Sequence, residues 1–369
     1  MKNKLKISII GTQGIPAKYG GFETLVENIV NNQKDNIEYT VFCSAQYFNK
    51  RPEMYKGARL NYIRLNANGA QSIPYDIVSM MKSLKEYDIL LVLGVSGCLA
   101  LNWIKRLCKG KIIVNIDGLE QRRNKWNIII KEVIKYAERI ALKHADAIIA
   151  DNKVIHEYIK VKYGKEAHMI SYGGDHVLCD TSRYEENIVK KYNIEKYNYS
   201  FSVCRIEPEN NIHTILKAYA ENGEKLLFVG NWNCSKYGKN LFEKYRSFPG
   251  INLLPPNYNL IELNVLRSNC KFYIHGHSVG GTNPSLVEAM FFGRPVLAYD
   301  CLFNRETTEY KAHYFKNEDQ LNSLVVQDYN TFLQNAIDMF DVANSRYTWK
   351  TIVHKYEELY NSILANNEL

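Results

Sequence analysis

The stretch HGHSVGGTNPSLVEAMFFGRPVLAYD, residues 275–300, contains the pattern that decides the fold. It reads as the end of a strand, a glycine-containing loop, a helix that begins near Pro284 and a second strand from Pro295 to Ala298. Proline is accepted in the first turn of a helix because its missing N–H would have no intrahelical partner there. A strand, a loop, a helix and another strand form the repeating unit of a parallel α/β sheet.

The loop and the start of this helix have features typical of a phosphate site. Gly280 and Gly281 let the backbone come close to a ligand, and Thr282 and Asn283 precede a helix whose unpaired amides favour an anion. One turn further, Glu288 lies within reach of a ligand at the helix start, where a carboxylate suits sugar hydroxyls. Phosphate and hydroxyl recognition together indicate a nucleotide or a nucleotide sugar. From these residues alone, an ordinary tight turn with a solvated glutamate is an equal alternative.

The same stretch resembles the donor-binding segment of family 4 glycosyltransferases, which have the GT-B fold. The positions that fit the family pattern are Glu288, Ala289, Met290, Gly293, Pro295 and Val296. Many members carry a second glutamate eight positions before the first, next to the transferred sugar, and this chain has Gly280 there. The resemblance therefore implies that Glu288, Gly281, Thr282 and Asn283 bind the donor. His277 or backbone amides would contact the transferred sugar in place of the missing glutamate.

A second glycine-rich loop follows the first predicted strand, Leu5 to Ile10. The sequence GTQGIPAKYGGFETLVENIV, residues 11–30, continues as a loop to Gly21 and then carries apolar side chains at helical spacing. It lacks both the spacing of a dinucleotide fingerprint and the Gly-Lys-Ser/Thr of a P-loop, which disfavours a nicotinamide-dependent oxidoreductase. Loops at the carboxyl end of a first strand bind ligands in α/β sheets. The backbone of Gly20 and Gly21 can therefore reach a phosphate or a sugar.

Residues 11–30 resemble the amino-terminal segment of a bacterial subgroup of family 4, the rhamnosyltransferases of capsule and cell-wall polysaccharide assembly. A second stretch, NIDGLEQRRNKW at residues 115–126, fits the same subgroup. The resemblance implies that Gly20, Gly21 and Glu23 face the donor diphosphate and the acceptor, and that Asp117 contacts the acceptor hydroxyl. An aspartate before glycine is also a common turn residue, which is the structural alternative for Asp117.

The second half of the chain begins with the predicted strand Tyr199 to Val203, followed by CRIEPENNIHTIL. In family 4 enzymes a Gly-Arg-x-x-x-x-Lys-Gly stretch follows this strand, and its arginine and lysine hold the donor diphosphate. Here Arg205 keeps the arginine, whereas Asn210 replaces the lysine. Arginine offers a bidentate fork to phosphate oxygens, and asparagine can still donate one hydrogen bond. The resemblance implies that both residues bind the donor.

Length and the alternation of strand and helix patterns predict two α/β domains, because 369 residues are too many for one ordinary core. We expect the GT-B architecture of two Rossmann-like parallel-sheet domains facing across a cleft. Residues 1–175 would form the acceptor side and residues 199–345 would bind the nucleotide sugar. Residues 346–369 would form a helix that packs back on the first domain. The polar stretch from Cys179 to Lys196 is predicted to be a linker.

The positive charge lies in the first half of the chain. Residues 1–178 contain 27 Lys and Arg against 17 Asp and Glu, a net +10, whereas residues 179–369 contain 20 against 22, a net −2. The densest basic stretch, residues 105–135, follows Trp103 and is interleaved with Trp126 and with Ile128 to Ile130. This pattern suits an anionic bilayer surface or a diphosphate-bearing acceptor, with a solvated basic face as an equal alternative. No nucleic-acid motif accompanies the charge, which disfavours nucleic acid as a partner.

The cysteines and the apolar stretches bear on metal binding and on the location of the protein. The eight cysteines form no C-x-x-C pair and no zinc-type spacing with histidine, which favours reduced thiols and predicts no metal site. The amino terminus lacks the apolar core of a secretion signal, and the stretch Ile89 to Ile104 is too short and too interrupted to span a bilayer. We therefore expect a cytoplasmic protein, peripheral at the inner face of the cell membrane, with no cofactor.

Taken together, the resemblance implies a retaining, metal-independent transferase that moves L-rhamnose from dTDP-rhamnose to a lipid-diphosphate-linked sugar acceptor. Its catalytic residues would be Asp117, Arg205 and Glu288. The sequence contains no Asp-x-Asp, the metal-binding signature of the other large glycosyltransferase fold. Three alternatives stay open because no residue separates them: a UDP-hexose transferase for glucose or N-acetylglucosamine, a GT-B sugar-nucleotide epimerase, and an inactive polysaccharide-binding protein.

Overall fold

The computed structural model describes residues 4–18, 20–116, 118 and 127–365. The chain divides into two compact units, Met1–Ser171 with Trp349–Leu369, and Tyr172–Thr348. Each unit is built on a parallel sheet with helices between its strands, so the chain belongs to the predicted α/β class. Asp117, one of the predicted catalytic residues, lies outside the described residues.

The described part of the first unit contains eight strands. They are β1 (Leu5–Ile10), β2 (Ile37–Ser44), β3 (Met54–Tyr55), β4 (Ala58–Ile63), β5 (Ile89–Leu93), β6 (Lys111–Ile116), β7 (Ala147–Ala150) and β8 (His168–Met169). Their order in the sheet is β3-β4-β2-β1-β5-β6-β7-β8, and every pair is parallel except β3 with β4. The chain therefore moves outward from β1 in one direction and later returns to its other side at β5.

Helices cover both faces of this sheet. They are α1 (Gly21–Asn31), α2 (Ser72–Ser83), α3 (Leu101–Leu107), α4 (Ile128–His144) and α5 (Lys153–Tyr163). Strand β5 reads ILLVL and is buried throughout, as expected for a parallel strand with helices on both faces. Helix α1 buries Leu25, Val26, Ile29 and Val30, the apolar stripe that its sequence predicts.

The carboxyl-terminal helix, Trp349–Ala365, is grouped with the first unit although it follows the second unit in the sequence. Its Tyr356 accepts a hydrogen bond from the side-chain amide of Asn115 on β6 at 3.1 Å. Its buried Glu357 pairs with Lys34, which follows α1. The helix is thus attached to the first sheet by polar contacts as well as by buried apolar side chains.

The second unit contains a six-stranded sheet in which every pair is parallel. Its strands are β9 (Ser200–Val203), β10 (Leu226–Val229), β11 (Ile251–Leu254), β12 (Phe272–His275), β13 (Val296–Tyr299) and β14 (His313–Phe315). Their order is β11-β10-β9-β12-β13-β14. The first strand, β9, is therefore central, and the chain turns back past it when it enters β12.

The helices of the second unit complete its two outer layers. They are α6 (Glu185–Tyr192), α7 (Ile212–Asn222), α8 (Lys236–Tyr245), α9 (Leu260–Ser268), α10 (Pro284–Met290), α11 (Leu302–Thr307), α12 (Glu318–Val325) and α13 (Leu333–Arg346); the helix Trp349–Ala365 is α14. The sheet is buried on both faces, because Tyr273 belongs to one apolar cluster and its neighbours Phe272 and Ile274 belong to the other.

The predicted linker from Cys179 to Lys196 is wrong, since it contains α6. Ile188 is buried in this helix, and Val189 and Tyr192 pack against the apolar core of the second unit. The three apolar side chains form a narrow stripe at helical spacing that the polar composition of the segment hides. Across the residues that the structure describes, no helix combines the length and the apolar character that a membrane span requires.

Candidate functional site

Two of the sequence-predicted loops leave neighbouring strands of the second sheet. Residues 204–211 follow β9, residues 276–283 follow β12, and β9 pairs with β12 in the sheet. From these two strands the chain runs to opposite edges of the sheet. Open α/β sheets bind ligands in the crevice beside such a switch point, at the carboxyl ends of the strands. The fold therefore brings the Arg205 loop and the glycine loop to the place where a ligand is expected.

Hydrogen bonds tie these two loops together. The side-chain amide of Asn211 donates to the carbonyl oxygen of Gly276 at 2.9 Å. Both the backbone N–H and the hydroxyl of Ser278 donate to the carbonyl oxygen of Glu209, at 3.0 and 2.8 Å. The loops approach so closely at Gly276 that a Cβ there would lie 2.1 Å from the carbonyl oxygen of Asn210. A glycine is required at this position by the close approach of the backbone.

Arg205 and Asn210 occupy different environments within the first of these loops. The Arg205 side chain is 43% exposed, and its Nη1 lies 3.7 Å from Glu207 Oε1. Asn210 is buried, and its side-chain amide donates to the carbonyl oxygen of Arg205 at 2.7 Å. Asn210 therefore shapes the loop that presents Arg205. The sequence analysis expected Asn210 to bind phosphate in place of lysine. In the structure its side-chain amide binds the backbone of its own loop instead.

The glycine loop carries a backbone conformation that favours glycine at position 280. Gly280 has φ of 130°, a region that L-residues rarely adopt, and a Cβ there would meet no atom within 4 Å. Conformation, not crowding, therefore favours glycine at this position. At the end of the loop Thr282 is buried, and the Asn283 side chain caps α10 by accepting from the N–H of Ser285 at 3.3 Å.

His275 and His277 stack on each other at the carboxyl end of β12. Their ring centroids lie 4.4 Å apart with an angle of 12° between the planes. Burial lowers the pKa of His275 to about 3, so its imidazole is neutral near pH 7. The carbonyl oxygen of His277 accepts from the side-chain amide of Asn304 at 2.8 Å, which fixes the start of the glycine loop against α11.

Glu288 makes contacts that the sequence motifs do not indicate. Its Oε2 accepts from Nη2 of Arg267 on α9 at 2.5 Å, and its Oε1 lies 3.6 Å from Nε2 of His176. The segment that contains His176 packs on α10, because a Cβ on Gly174 would lie 2.8 Å from Val287 Cγ1. Sequence reasoning missed Arg267 and His176, since both are distant from Glu288 in the sequence and neither belongs to a recognisable motif.

The glycine loop of the first unit follows β1. This strand is also a switch point, because it lies between β2 and β5 in the sheet. Gly20 has φ of 128° and precedes α1. Glu23 is buried, and its Oε1 accepts from the hydroxyl of Thr12 at 2.9 Å and from the N–H of Gln13 at 2.8 Å. The sequence assigned Glu23, with Gly20 and Gly21, to substrate contact, whereas the structure uses its carboxylate to hold the loop.

Two further carboxyl groups near this loop escaped the sequence analysis. One turn after Glu23, Oε2 of Glu27 accepts from the N–H of Ala17 at 2.9 Å, so α1 holds the loop at two points. Asp76 on α2 accepts from the N–H of Gly97, in the loop after β5, at 3.1 Å. Burial raises the pKa of Asp76 to about 8, which keeps most of this carboxyl group protonated at neutral pH.

The charged groups of the second-unit site suit an anion. Within the described residues no group of three or more His, Cys, Asp or Glu side chains is placed to hold a metal ion. The Arg205 side chain is 43% exposed and lies 3.7 Å from Glu207, whereas the Arg267 side chain is 4% exposed and contacts Glu288 at 2.5 Å. Arg205 is thus the cation at this switch point whose exposure best fits phosphate binding.

Two families match successive parts of the chain. Residues 4–175 match the family described as Domain of unknown function (DUF1972), and residues 184–324 match Glycosyl transferases group 1. The second match contains both loops at the β9–β12 switch point, together with Arg205 and Glu288. A comparison with functionally curated proteins gives no match.

Solved structures share the fold over almost the whole chain. Sucrose-phosphate synthase from Thermosynechococcus elongatus has a TM-score of 0.80 at 14% identity, covering 98% of this chain and 100% of that one. HepE from Anabaena in complex with UDP-glucose has a TM-score of 0.76 at 14% identity, covering 97% and 100%. The α,α-trehalose 6-phosphate synthase from Burkholderia multivorans has a TM-score of 0.73 at 8% identity, covering 99% and 98%.

These findings define the class of protein. The two parallel-sheet units and the structural matches give the GT-B fold, and the chain is a glycosyltransferase. Residues 184–324, which match Glycosyl transferases group 1, lie within the second unit.

Proposed function

We propose that this glycosyltransferase is a retaining, metal-independent rhamnosyltransferase. It would move L-rhamnose from dTDP-rhamnose to a lipid-diphosphate-linked sugar in capsule or cell-wall polysaccharide assembly. The observation that carries the donor site is the placement of the exposed Arg205 and the loop 276–283 at the switch point within the glycosyl transferases group 1 domain. The choice of rhamnose, the retention and the acceptor rest on the resemblance of residues 11–30 and 115–126 to the rhamnosyltransferase subgroup.

The proposed reaction breaks the bond between the anomeric carbon of the donor sugar and an oxygen of the diphosphate, and the electron pair leaves with the nucleoside diphosphate. The acceptor hydroxyl oxygen forms the new glycosidic bond on the same face, and its proton passes to an oxygen of the departing diphosphate. Arg205 and the amides of Gly281 to Asn283 stabilise the charge that develops on the leaving group, because preorganised donors cost no rearrangement during the reaction. A carboxylate oxygen of Glu288 accepts a hydrogen bond from a hydroxyl of the nucleoside sugar.

The first unit is proposed to serve the acceptor. Its loop of Gly20 and Gly21 starts at a switch point of its own sheet, which is the favoured place for a ligand. Glu23 supports the loop there through Thr12 and Gln13. Asp117 is proposed to contact the acceptor hydroxyl, and this role rests on the resemblance of its sequence context alone.

Part of the first unit's surface supports a location at the cytoplasmic face of an anionic membrane. Trp103 on α3 is 71% exposed, and Ile128 and Ile129 in the first turn of α4 are 80% and 75% exposed. The basic residues Lys105 and Arg106 lie beside Trp103 on α3. Exposed apolar side chains next to basic ones are typical of surfaces that bind the interface of an anionic bilayer. The same surface would bring the enzyme to a lipid-linked acceptor.

Vesicle binding tests this location. We expect the protein to sediment with vesicles rich in phosphatidylglycerol and to bind phosphatidylcholine vesicles much less. The variant Ile128→Asp with Ile129→Asp should lose binding, because it places negative charge on the apolar turn. Val161→Asp is the matched control, since Val161 on α5 is 84% exposed and lies outside this surface. Equal binding by the double variant and the wild type would contradict the proposed surface.

A UDP-hexose transferase is the second candidate. The observation that favours it is the shared fold with Anabaena HepE, whose solved complexes contain UDP, UDP with glucose, or UDP-glucose. A sugar-nucleotide epimerase differs from both transferases, because it converts a nucleotide sugar without an acceptor.

One assay separates these functions. Purified protein is incubated with dTDP-rhamnose, UDP-glucose or UDP-N-acetylglucosamine, each with and without a lipid-diphosphate-linked sugar, and release of the nucleoside diphosphate is measured. We expect release of dTDP that requires the lipid-linked acceptor, and an NMR spectrum of the product that has the anomeric configuration of the donor. Release of UDP instead favours the hexose transferase, and conversion without an acceptor favours the epimerase. No turnover with any donor and acceptor contradicts the transferase proposal.

A further inference from the structure

We propose that Arg267 is a positioning residue for the donor site: it holds one oxygen of the Glu288 carboxylate and leaves the other to a single hydroxyl of the nucleoside sugar. The inference rests on the proposed function, in which Glu288 binds the nucleoside sugar of the donor. It adds Arg267, which the sequence motifs do not contain, and it predicts a measurable difference between the binding of 2′-deoxynucleotides and of ribonucleotides.

The geometry of the pair separates the two carboxylate oxygens. Nη2 of Arg267 donates to Oε2 of Glu288 at 2.5 Å, which is a charge-assisted hydrogen bond. Oε1 lies 3.6 Å from Nε2 of His176, which is longer than a hydrogen bond. The Arg267 side chain is 4% exposed and the Glu288 side chain 16%, so Glu288 is partly accessible while its cation is enclosed.

The surroundings of Arg267 make a purely structural role a poor account of the residue. Its neighbours Val265 and Leu266 on α9 are buried apolar side chains. Its Nε is also buried and has no hydrogen-bond partner within the described residues. Apolar side chains often replace a buried ion pair without loss of stability, and a buried donor without a partner is costly. A guanidinium at this position is therefore better explained by the orientation that it imposes on Glu288.

The orientation has a consequence for the nucleotide. Arg267 fixes the orientation of the carboxylate through Oε2, and this orientation favours a hydrogen bond from one sugar hydroxyl to Oε1 over a contact of two hydroxyls with both oxygens. A 2′-deoxyribose offers one ring hydroxyl, at its 3′ position, whereas a ribose offers two adjacent hydroxyls that a freely oriented carboxylate can bind with both oxygens. The pair of Arg267 and Glu288 thus fits a 2′-deoxynucleoside diphosphate sugar and gives little advantage to an additional 2′-hydroxyl.

The probes for this inference are dUDP and UDP, which share a base and differ in the 2′-hydroxyl. Their dissociation constants are measured by calorimetry for the wild type, Arg267→Met, Glu288→Gln and the double variant. We expect the wild type to bind the two nucleotides with similar affinity, and Arg267→Met to weaken binding of dUDP about tenfold because Glu288 is no longer held in its binding orientation. In Arg267→Met the affinity for UDP should rise at least threefold relative to the affinity for dUDP, because Oε2 no longer binds an arginine.

The double variant shows whether Arg267 acts through Glu288. We expect the double variant to bind dUDP no more weakly than Glu288→Gln alone, since the effects of two residues that act through one contact do not add. Arg294→Met is the control, because the guanidinium of Arg294 stacks on Tyr197 at 4.4 Å and should leave both dissociation constants unchanged. If Arg267→Met does not fold, Arg267→Lys replaces it, with a smaller gain of UDP over dUDP expected because the charge remains.

The outcomes separate this inference from the function on which it rests. Additive effects in the double variant, or an unchanged ratio of the dUDP and UDP dissociation constants in the Arg267 variant, would overturn the role of Arg267. Full nucleotide affinity in Glu288→Gln would instead contradict the donor site itself.

Discussion

The side-chain amide of Asn211 donates to the carbonyl oxygen of Gly276 at 2.9 Å and joins the two loops of the donor site. One loop carries Arg205 and the other carries Gly280, so the contact fixes their separation. Asn211 itself has φ of 50°, in the left-handed region that asparagine tolerates better than most residues. A single side chain thus connects the conformations of both loops.

Replacing Asn211 tests this connection. Asn211→Gly removes the hydrogen bond but accepts the left-handed backbone, so we expect a loss of about 1 kcal/mol and a rise of the donor KM of about fivefold. Asn211→Ala adds backbone strain of about 1 kcal/mol or more, and its melting temperature should be the lower of the two. Donor kinetics and thermal unfolding measure both effects. A donor KM that stays at the wild-type value in Asn211→Gly would show that the contact does not organise the site.

The backbone at Gly280 provides a second prediction. Because φ is 130° and a Cβ would meet no atom within 4 Å, Gly280→Ala should cost about 1–3 kcal/mol through strain alone. For a domain of this size that corresponds to a fall in melting temperature of about 2–4 °C per kcal/mol. Gly281→Ala is the matched control, because Gly281 is not among the glycines with positive φ. Equal melting temperatures of the two variants would contradict the strained conformation.

The buried imidazole of His275 makes stability depend on pH. Its pKa is about 3 in the folded protein and about 6.5 in an unfolded chain, so the native state binds fewer protons between these values. Its stabilising contribution is fully present above pH 6.5 and is lost as the pH falls toward 3. We expect this residue to steepen the fall in unfolding free energy by up to about 1.4 kcal/mol per pH unit in that window.

Urea unfolding of the wild type and of His275→Leu, measured at pH 7 and pH 5, checks the sign. The wild type should lose more unfolding free energy than the variant on going to pH 5. The same loss in both proteins would mean that His275 is not a buried neutral group.

Chelation of divalent cations tests how the leaving group is stabilised. If Arg205 and the loop amides supply the positive charge, transfer activity should survive EDTA with a change of less than about twofold. Initial rates before and after dialysis against EDTA measure this. Complete loss of activity that Mg²⁺ or Mn²⁺ restores would contradict the metal-independent mechanism.

The sequence predicted the buried strands best. Strand β1 begins and ends at the predicted residues Leu5 and Ile10, and β9 (Ser200–Val203) and β13 (Val296–Tyr299) differ from the predicted strands by at most one residue at each end. Strands with helices on both faces form short continuous apolar runs with abrupt polar ends, and such runs are visible without any tertiary information. The helix predicted to begin near Pro284 is α10, Pro284–Met290.

The donor-site loops were predictable for a similar reason, and their internal contacts were not. Arg205 and Gly280 each follow a strand within a short motif, so the fold rule for parallel sheets places them at the same edge. The partners of Glu288, Arg267 and His176, come from elements that no local pattern connects with it, whereas Thr12 and Gln13 lie in the same loop motif as Glu23. Glu23 illustrates the limit, because a carboxylate that supports a loop and one that contacts a substrate have the same sequence context.

The most direct measurement is the affinity of dTDP for the wild type and for Arg205→Ala, determined by calorimetry together with the melting temperature. Arg205 is 43% exposed, so its removal should leave the fold intact. A lost contact between a guanidinium and a diphosphate is worth about 1.5–3 kcal/mol, which predicts binding about 10- to 100-fold weaker at an unchanged melting temperature. An Arg205→Ala protein that binds dTDP as tightly as the wild type would contradict the assignment of the donor site.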